Sequence, residues 1–314
     1  MRDIVISGAT GFLGRNLARK FLEKGDRVWA VIRPDSRNKG ILGGYDSNLK
    51  PIFCSLSDSK KIISTIKKAD AWFHFAWAGV NREEIDSPKV QKQNVEMSVN
   101  VVNMAHALQC KVFMDAGSRV EYGIVDGIME ESIECHPVNE YGKAKLQFYY
   151  EASALCRQYG MKYCHLRFFS VYGYGDHPWS IISTLLRELP RGNAVSLSAC
   201  LHQWNFMYID DAVDAVYHLY EAVDDREDFK ADIFNIASKD TRKLKEFVEE
   251  IYRIVGNKGK LEFGTFVQAK EGALSIIPDI QRLYNITGGW KEKYSFEKGI
   301  RESLKGYMQN NEEN

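Results

Sequence analysis

A tyrosine and a lysine four positions apart, Tyr141 and Lys145, could together carry out proton transfer. At that spacing both side chains lie on one face of a helix. A free tyrosine titrates near pH ~10, and a neighbouring ammonium stabilises the phenolate, so we expect the pKa of Tyr141 to be lowered. A phenol tuned in this way can act as an acid or base near neutral pH. The pair alone is ambiguous, because the same spacing also occurs on solvated helix faces.

A glycine-rich turn near the start of the chain indicates a dinucleotide site. The apolar run Asp3–Ser7 leads directly into Gly8, Gly11 and Gly14, and a helical pattern follows. Glycines between a strand and a helix let the backbone approach a pyrophosphate, whose charge is stabilised at the helix N-terminus. The first two glycines are one residue further apart than in the commoner fingerprint, so a turn without a ligand is the alternative.

The end of the second predicted strand distinguishes between the two nicotinamide cofactors. An NAD site usually has an acidic residue about 20 residues beyond the turn, where it binds the ribose hydroxyls. This chain has Ile32 and Arg33 there, followed by Arg37 and Lys39. A carboxylate would repel a 2′-phosphate, whereas Arg33 would pair with it. We therefore expect NADP(H) rather than NAD, with Arg33 as an ordinary surface residue as the alternative.

The elements that would position these residues alternate along the first half of the chain. The predicted strands, which are mostly apolar throughout, are Asp3–Ser7, Arg27–Ile32, Ala71–Phe75, Lys111–Ala116 and Lys162–Phe168. The predicted helices between them are Leu13–Lys24, Lys60–Lys67, Val90–Leu108 and Tyr141–Gln158. This alternation predicts the α/β class, as a Rossmann-like doubly wound parallel sheet with helices on both faces.

Beyond Gly173 the predicted elements become shorter and more mixed. We expect residues 1–173 to form a dinucleotide-binding domain and residues 174–314 to form a smaller, mixed substrate-binding part. Segments within residues 204–237, namely Tyr208–Val223 and Ile233–Ile236, are predicted to return to the first sheet.

Composition argues against several functional classes. The 314 residues include 42 basic and 42 acidic side chains. The formal net charge is therefore zero, without the excess of basic residues that is typical of nucleic-acid-binding proteins. The seven histidines show no metal-ligand spacing, so no metal is expected. The six cysteines lack a C-x-x-C pair, and the longest apolar stretch, residues 69–80, is too short to span a bilayer. We expect a cytoplasmic protein with reduced cysteines and no membrane partner.

The conjunction of Gly8-x-x-Gly11-x-x-Gly14 with Tyr141-x-x-x-Lys145 resembles the extended short-chain dehydrogenase/reductase family, in its NAD-dependent epimerase/dehydratase branch. The resemblance covers nearly the whole chain and is greatest to the reductases of nucleotide-linked 4-keto-6-deoxyhexoses. It implies a catalytic trio in which Ser118 completes the tyrosine–lysine pair. It also implies a homodimer formed through the helices at residues 94–108 and 141–157.

The residues expected to contact ligands fall into two sets. The cofactor set is Gly8, Thr10, Gly11, Phe12, Leu13, Gly14, Arg33, Leu56, Asp58, Ala76, Asn94, Tyr141, Lys145 and Phe168. The substrate set is Ser118, Arg119, Ser170, Trp179, Arg187 and Trp204. The family usually has an asparagine at Ser170 and an arginine at Trp204, which leaves both contacts open. A solvated helix position is the alternative for Arg187, and a core position is the alternative for Trp204.

The positions after Ser118 narrow the reaction that the resemblance implies. Dehydratases of this branch carry an Asp-Glu pair there, and its epimerase-reductases use a cysteine, whereas this chain has Arg119 and Val120. Glu121 is displaced by one position, which should redirect its side chain. The expected reaction is NADPH-dependent reduction of the C4 ketone of a nucleotide-linked 4-keto-6-deoxyhexose. Such a reaction belongs to deoxysugar and surface-polysaccharide biosynthesis, including that of O-antigen.

Three alternatives stay open on the sequence. A nucleotide-sugar 4-epimerase would recycle its nicotinamide within each turnover, and members of this family that do so typically retain NAD. A non-enzymatic dinucleotide sensor would have no need of Ser118, Tyr141 and Lys145 together. A reductase of a non-sugar carbonyl would share Arg33 but not the segments around Ser118 and Trp204.

Overall fold

Fourteen strands and nine α-helices make up the part of the molecule described by this computed structural model, which covers residues 1–43, 47–81, 83–266 and 275–312. The strands are β1 Asp3–Ser7, β2 Arg27–Ile32, β3 Leu49–Phe53, β4 Ala71–His74, β5 Val112–Ser118, β6 Ile128–Met129, β7 Lys162–Phe168, β8 Ser170–Tyr172, β9 Ala194–Leu197, β10 Gln203–Tyr208, β11 Ala231–Ile236, β12 Thr241–Lys243, β13 Lys260–Phe263 and β14 Ile277–Pro278. The helices are α1 Phe12–Glu23, α2 Ser59–Ile66, α3 Pro88–Ala107, α4 Glu140–Tyr159, α5 Ile181–Glu188, α6 Ile209–Asp224, α7 Leu244–Ile254, α8 Gln281–Ile286 and α9 Phe296–Glu312.

Seven of the strands form one parallel sheet in the order β11-β7-β5-β4-β1-β2-β3. The chain builds outwards from β1 in one direction through β2 and β3, and then in the other direction from β4. The point where the order reverses therefore lies between β1 and β4, where ligands bind in open sheets of this kind. The predicted fold class, a Rossmann-like doubly wound α/β sheet, is confirmed.

Helices cover both faces of this sheet. On one face α1 and α6 bury Phe21 and Tyr220 against the strands. On the other face α2, α3 and α4 bury Ile62, Val101 and Phe148. Because both faces are covered, strands such as β1 and β4 are almost entirely buried, which explains their continuous apolar sequences. The two layers of helices fix the carboxyl ends of the strands, where the site residues lie.

Several of the remaining elements form a second, smaller core. Its centre is an aromatic cluster in which the rings of Phe206, Phe247 and Phe296 lie 4.6 to 6.0 Å apart. Helices α5, α7 and α9 and strands β9 and β10 contribute to this core. β10 pairs in parallel with β8, which follows β7 after a single residue. This pairing brings the second core to the end of the large sheet.

Strand β3 is the element of the large sheet that the hydrophobic pattern did not predict. Only Ile52 of its five residues is buried, and Lys50, Pro51 and Phe53 are exposed. β3 lies at the edge of the sheet, where a proline is tolerated because one side of the strand has no partner. An edge strand needs little apolar surface, so its sequence carries little of the pattern that marks the central strands.

Candidate active site

The glycine turn fits a pyrophosphate because two of its glycines have no room for a side chain. Gly8 has a φ of +80°, and a Cβ there would lie 2.5 Å from the carbonyl carbon of Phe75. A Cβ on Gly14 would collide with the carbonyl oxygen of Gly8. Helix α1 starts directly after Gly11, which has no side chain to cap it, and its first turn has no acidic residue. Its N-terminal amides can therefore bind an anion.

A cavity of about 260 Å³ opens beside this turn. It brings together seven residues of the predicted cofactor set: Gly8, Thr10, Gly11, Arg33, Leu56, Ala76 and Asn94. The described residues that line it include no Asp or Glu. Phe12, Leu13, Gly14, Asp58, Tyr141, Lys145 and Phe168 are not part of its lining.

Three members of the cofactor set have other contacts in this structure. The side chain of Arg33 is 71% exposed and lies 4.0 Å from the carboxylate of Asp35. Asp58 caps helix α2 and accepts a hydrogen bond from the amide of Lys61 at 3.2 Å. Asn94 accepts from the amide of Ala78 at 3.0 Å and donates to its carbonyl oxygen at 2.9 Å, so it holds one wall of the cavity in place.

The predicted catalytic residues meet where β5 ends and α4 begins. Ser118 is the last residue of β5, and Asn139 caps α4, so Tyr141 lies in the first turn of that helix. Tyr141 and Ser118 are close enough for the Ser118 side chain to act on the pKa of the phenol, which it lowers. The Lys145 ammonium donates to the carbonyl oxygen of Ala116 at 2.6 Å. The structure thus places a phenol, a hydroxyl and an ammonium at the carboxyl end of one central strand.

The expectation that Lys145 lowers the pKa of Tyr141 is wrong. Burial raises the pKa of Tyr141 well above its ordinary value, and the negative charge of Glu121 raises it further. The Lys145 ammonium is held by Ala116 and lies 5.7 Å from the centre of the Tyr141 ring. Burial also lowers the pKa of Lys145 to about 8, against the opposing effects of Asp115 and Glu121. Tyr141 is therefore protonated at neutral pH, as a proton donor must be.

A network of four buried charged residues lies directly beneath Ser118. Glu121 is fully buried, accepts from the backbone amide of Ser118 at 2.6 Å, and binds His165 at 2.8 Å and Arg167 at 2.9 Å. His165 also lies 3.0 Å from a carboxylate oxygen of Asp115. Two carboxylates thus face an imidazole and a guanidinium, and one of the carboxylates holds the Ser118 backbone. The expectation that the Glu121 side chain is redirected is consistent with its bonds to His165 and Arg167.

The sequence offered one overlooked signal for this network. His165 and Arg167 are two apart on strand β7, so their side chains share one face of a strand whose neighbours in sequence are mostly apolar. Polar side chains are rarely buried unless they are paired, so such a face predicts a partner. The identity of that partner depended on the path of the short 3₁₀ helix Arg119–Tyr122.

Trp77 is a further site residue that the motifs did not predict. Its ring centre is 3.5 Å from the Lys145 ammonium and 6.2 Å from the Tyr141 ring. Its indole N–H donates to Gln91 at 2.9 Å, which fixes the ring. Trp77 also lines the cavity beside the glycine turn. It therefore stands between that cavity and the catalytic residues.

The predicted substrate residues separate into two places. Arg119 lies against Trp204, beside Ser118, and Ser170 begins the strand that pairs with β10. Arg187 instead lines a different groove of about 620 Å³, together with Arg15, Arg19 and Asp210. There it pairs with Glu188 at 2.7 Å and donates to the carbonyl oxygen of Pro178 at 3.0 Å. Trp179 is 52% exposed and stacks on His177.

The six cysteines are free, and all but Cys135 are buried. Among the described residues, no cluster of three or more His, Cys, Asp or Glu side chains could hold a metal ion. None of the described helices is both long and apolar enough to cross a membrane.

Comparison with known proteins found a family model that matches this chain and relatives that align with it over most of both sequences. The model described as the NAD dependent epimerase/dehydratase family matches residues 4–237. The chain is 26% identical to a dTDP-6-deoxy-L-talose 4-dehydrogenase (NAD(+)) from Aggregatibacter actinomycetemcomitans, over 87% of this chain and 98% of that protein. It is 23% identical to a CDP-abequose synthase from Salmonella muenchen, over 96% of this chain and 97% of that protein.

A solved structure shares the fold. It is described as MoeE5 in complex with UDP-glucuronic acid and NAD, and it superposes with a TM-score of 0.80 at 22% sequence identity. The match covers 98% of this chain and 99% of that chain. The two cores described above therefore occur together in a protein that binds a nicotinamide dinucleotide and a nucleotide sugar.

Proposed function

This chain belongs to the NAD dependent epimerase/dehydratase family of nucleotide-sugar-modifying enzymes, and we propose that it reduces the C4 ketone of a nucleotide-linked 4-keto-6-deoxyhexose with NADPH. The family match confirms the resemblance that the glycine turn and the Tyr141–Lys145 pair indicated. Among its relatives, the proteins named a 4-dehydrogenase of a 6-deoxyhexose and a CDP-abequose synthase support the choice of substrate class.

The observation that carries this proposal is the state of the two acidic groups beside Ser118. Tyr141 has a raised pKa and carries its proton, whereas Glu121 is buried in ion pairs with His165 and Arg167. Elimination of water needs a second acid/base that can reach the sugar, and Glu121 cannot serve. A single available proton matches the reduction of a ketone, which takes up one proton and one hydride.

In the proposed mechanism each of three side chains has one task. Ser118 hydrogen-bonds the ketone oxygen and orients it towards Tyr141. Tyr141 donates its proton as negative charge develops on that oxygen. Lys145 would contribute a positive charge beside the phenol and would hold the nicotinamide ribose. When bound, the cofactor would supply the hydride to C4.

The choice of NADPH rests on the cavity beside the glycine turn. Arg33, Thr10 and Ser36 line it together, and its described lining has no carboxylate to accept the hydroxyls of an unphosphorylated ribose. The side chain of Arg33 is exposed and lies 4.0 Å from the carboxylate of Asp35, so we expect it to be available to a 2′-phosphate. The relative from Aggregatibacter is named for NAD(+), which makes cofactor preference a property to measure.

Arg33→Ala is expected to weaken NADPH binding by about tenfold and to leave NADH binding unchanged, because a charge-assisted hydrogen bond contributes about 1.5 kcal/mol or more. Titration of both cofactors by fluorescence or calorimetry measures the effect. Arg226→Ala removes an exposed arginine elsewhere on the surface and serves as the control. An equal change in the affinities for NADPH and NADH would show that Arg33 does not bind the 2′-phosphate.

The reaction itself is tested by following NADPH oxidation with a panel of dTDP-, GDP-, CDP- and UDP-linked 4-keto-6-deoxyhexoses. We expect oxidation with at least one of them, and no oxidation with any would overturn the proposal. Incubation with a UDP-hexose without reductant tests the 4-epimerase alternative, because only an epimerase gives the C4 epimer under those conditions.

We also propose how the chain is divided between cofactor binding, substrate binding and dimer formation. Residues 1–173, with the returning segments within 204–237, would hold the cofactor, and residues 174–314 would bind most of the sugar nucleotide. Helices α3 and α4, which pack against each other, would form a homodimer by joining their counterparts in a second copy. A cytoplasmic location and a role in deoxysugar and O-antigen biosynthesis complete the proposal.

A further inference from the structure

The face of helix α4 that carries the catalytic pair packs against a single indole ring. Tyr141, Lys145 and Phe148 follow one another at intervals of four and three residues, so their side chains lie along one face of the helix. The centre of the Trp77 ring lies 3.5 Å from the Lys145 ammonium. It also lies 6.2 Å from the Tyr141 ring and 6.3 Å from the Phe148 ring. Trp77 therefore packs against both members of the catalytic pair.

The Lys145 ammonium is buried and has two close contacts. It donates to the carbonyl oxygen of Ala116 at 2.6 Å, and it lies over the face of the Trp77 ring. The carboxylates of Asp115 and Glu121 raise its pKa, but both are bonded to other side chains. An aromatic face attracts a cation, and the attraction is stronger where water is excluded. The position of the ammonium is thus set by the Ala116 carbonyl and by the indole face.

The Trp77 ring is itself held by the wall of the cavity beside the glycine turn. Its N–H donates to the side-chain oxygen of Gln91 at 2.9 Å, and Asn94 donates to the same oxygen at 3.3 Å. Gln91 is buried and donates in turn to the carbonyl oxygen of Gly79 at 3.0 Å. Trp77, Ala78 and Asn94 all line the cavity. One hydrogen-bonded unit therefore shapes the cavity wall and fixes the ring on which Lys145 rests.

We propose that Trp77 is a positioning residue whose indole face holds the Lys145 ammonium in place for the nicotinamide ribose of the cofactor. This rests on the part of the proposed function in which Lys145 holds that ribose. It is independent of the choice between NADPH and NADH, because the nicotinamide ribose is the same in both. A half-buried tryptophan that only fills space would act on the stability of the protein, whereas a positioning residue acts on the ligand that Lys145 binds.

Calorimetric binding of NADPH and NADH to the intact protein tests this role without any turnover. We expect Trp77→Leu to weaken the cofactor that binds by about tenfold, because the ammonium loses a desolvated cation–π contact. Trp77→Phe retains an aromatic face, so the loss should stay within about threefold. ADP and adenosine 2′,5′-bisphosphate lack the nicotinamide ribose. Their binding should be unchanged in both variants, which also reports that the variants are folded.

A second set of variants shows whether Trp77 acts through Lys145. In a Lys145→Met background, Trp77→Leu should no longer change cofactor binding, because the two substitutions remove the same contact. Trp29→Leu is the matched control. Trp29 is also half-buried, and its indole N–H donates to Asp3 at 2.9 Å. It should leave the binding of both cofactors unchanged.

The outcomes separate this inference from the proposed reaction. If Trp77→Leu binds the cofactors as the wild type does, or weakens them equally with and without Lys145, Trp77 does not position the lysine. An equal loss of ADP and adenosine 2′,5′-bisphosphate would mean that Trp77 only shapes the cavity, which also overturns the inference. A wild type that binds neither cofactor would overturn the inference and the proposed function together. Coupling of Trp77 to Lys145 without any NADPH oxidation would retain the positioning role and remove the reductase.

Discussion

Tyr141→Phe is expected to reduce turnover by roughly 10²- to 10⁴-fold, the contribution typical of a positioned general acid. The substitution removes one oxygen atom and keeps the ring that packs against Trp77. Because the cavity beside the glycine turn does not include Tyr141, NADPH binding should stay within a few fold of the wild type. The loss should therefore appear in kcat and not in cofactor affinity.

The measurement is NADPH oxidation at saturating substrate, together with a separate titration of the cofactor. Tyr150→Phe is a matched control, because Tyr150 lies on the same helix and is 62% exposed. It should retain full activity. If Tyr141→Phe keeps more than about a tenth of wild-type turnover, Tyr141 is not the proton donor.

Glu121→Gln is expected to lower the free energy of unfolding by about 3 to 5 kcal/mol, as found when one partner of a buried ion pair is removed. The variant keeps the shape of the side chain but leaves His165 and Arg167 facing a neutral amide. It also weakens the acceptor that holds the Ser118 amide at 2.6 Å. We therefore expect a fall in turnover alongside the fall in stability.

The dependence of this effect on pH follows from two shifted pKa values. Burial opposes ionisation of Glu121, but His165 and Arg167 outweigh it and lower its pKa to about 2. The contribution of Glu121 is thus complete above its unfolded pKa of ~4.3 and is lost as the pH falls towards 2. Burial opposes protonation of His165, but Asp115 and Glu121 raise its pKa to about 9. That contribution is complete below ~6.5 and is lost as the pH rises through 9.

Both contributions are complete between about pH 4.3 and 6.5. The difference in melting temperature between the wild type and Glu121→Gln should be largest in that window and should shrink towards pH 9. Thermal unfolding followed by circular dichroism across this range measures it. Glu134→Gln, at a position 85% exposed, should change the melting temperature little. A difference that is the same at pH 6 and pH 9 would mean that His165 is not charged.

Local sequence determined the parts of the site that depend on short spacing. Gly8, Gly11 and Gly14 form the predicted turn because a strand, a turn and a helix are encoded within a few consecutive residues. Tyr141 and Lys145 share a helix face for the same reason. The alternation of buried strands and helices also determined the fold class, since each element must cover the apolar surface of another.

Only the tertiary structure decided how distant segments act on these residues. Desolvation by the surrounding protein reversed the expected direction of the pKa shift of Tyr141, because the Lys145 ammonium is held by the carbonyl oxygen of Ala116. The pairing of Glu121 with His165 depends on how the 3₁₀ helix after β5 meets strand β7 across 44 positions of sequence. The contact of Arg119 with Trp204 likewise joins the 3₁₀ helix after β5 to β10. The sequence determines which ionisable groups are present and which of them share a helix or strand. Their charge state, and the partners that they contact, depend on segments that only folding brings together.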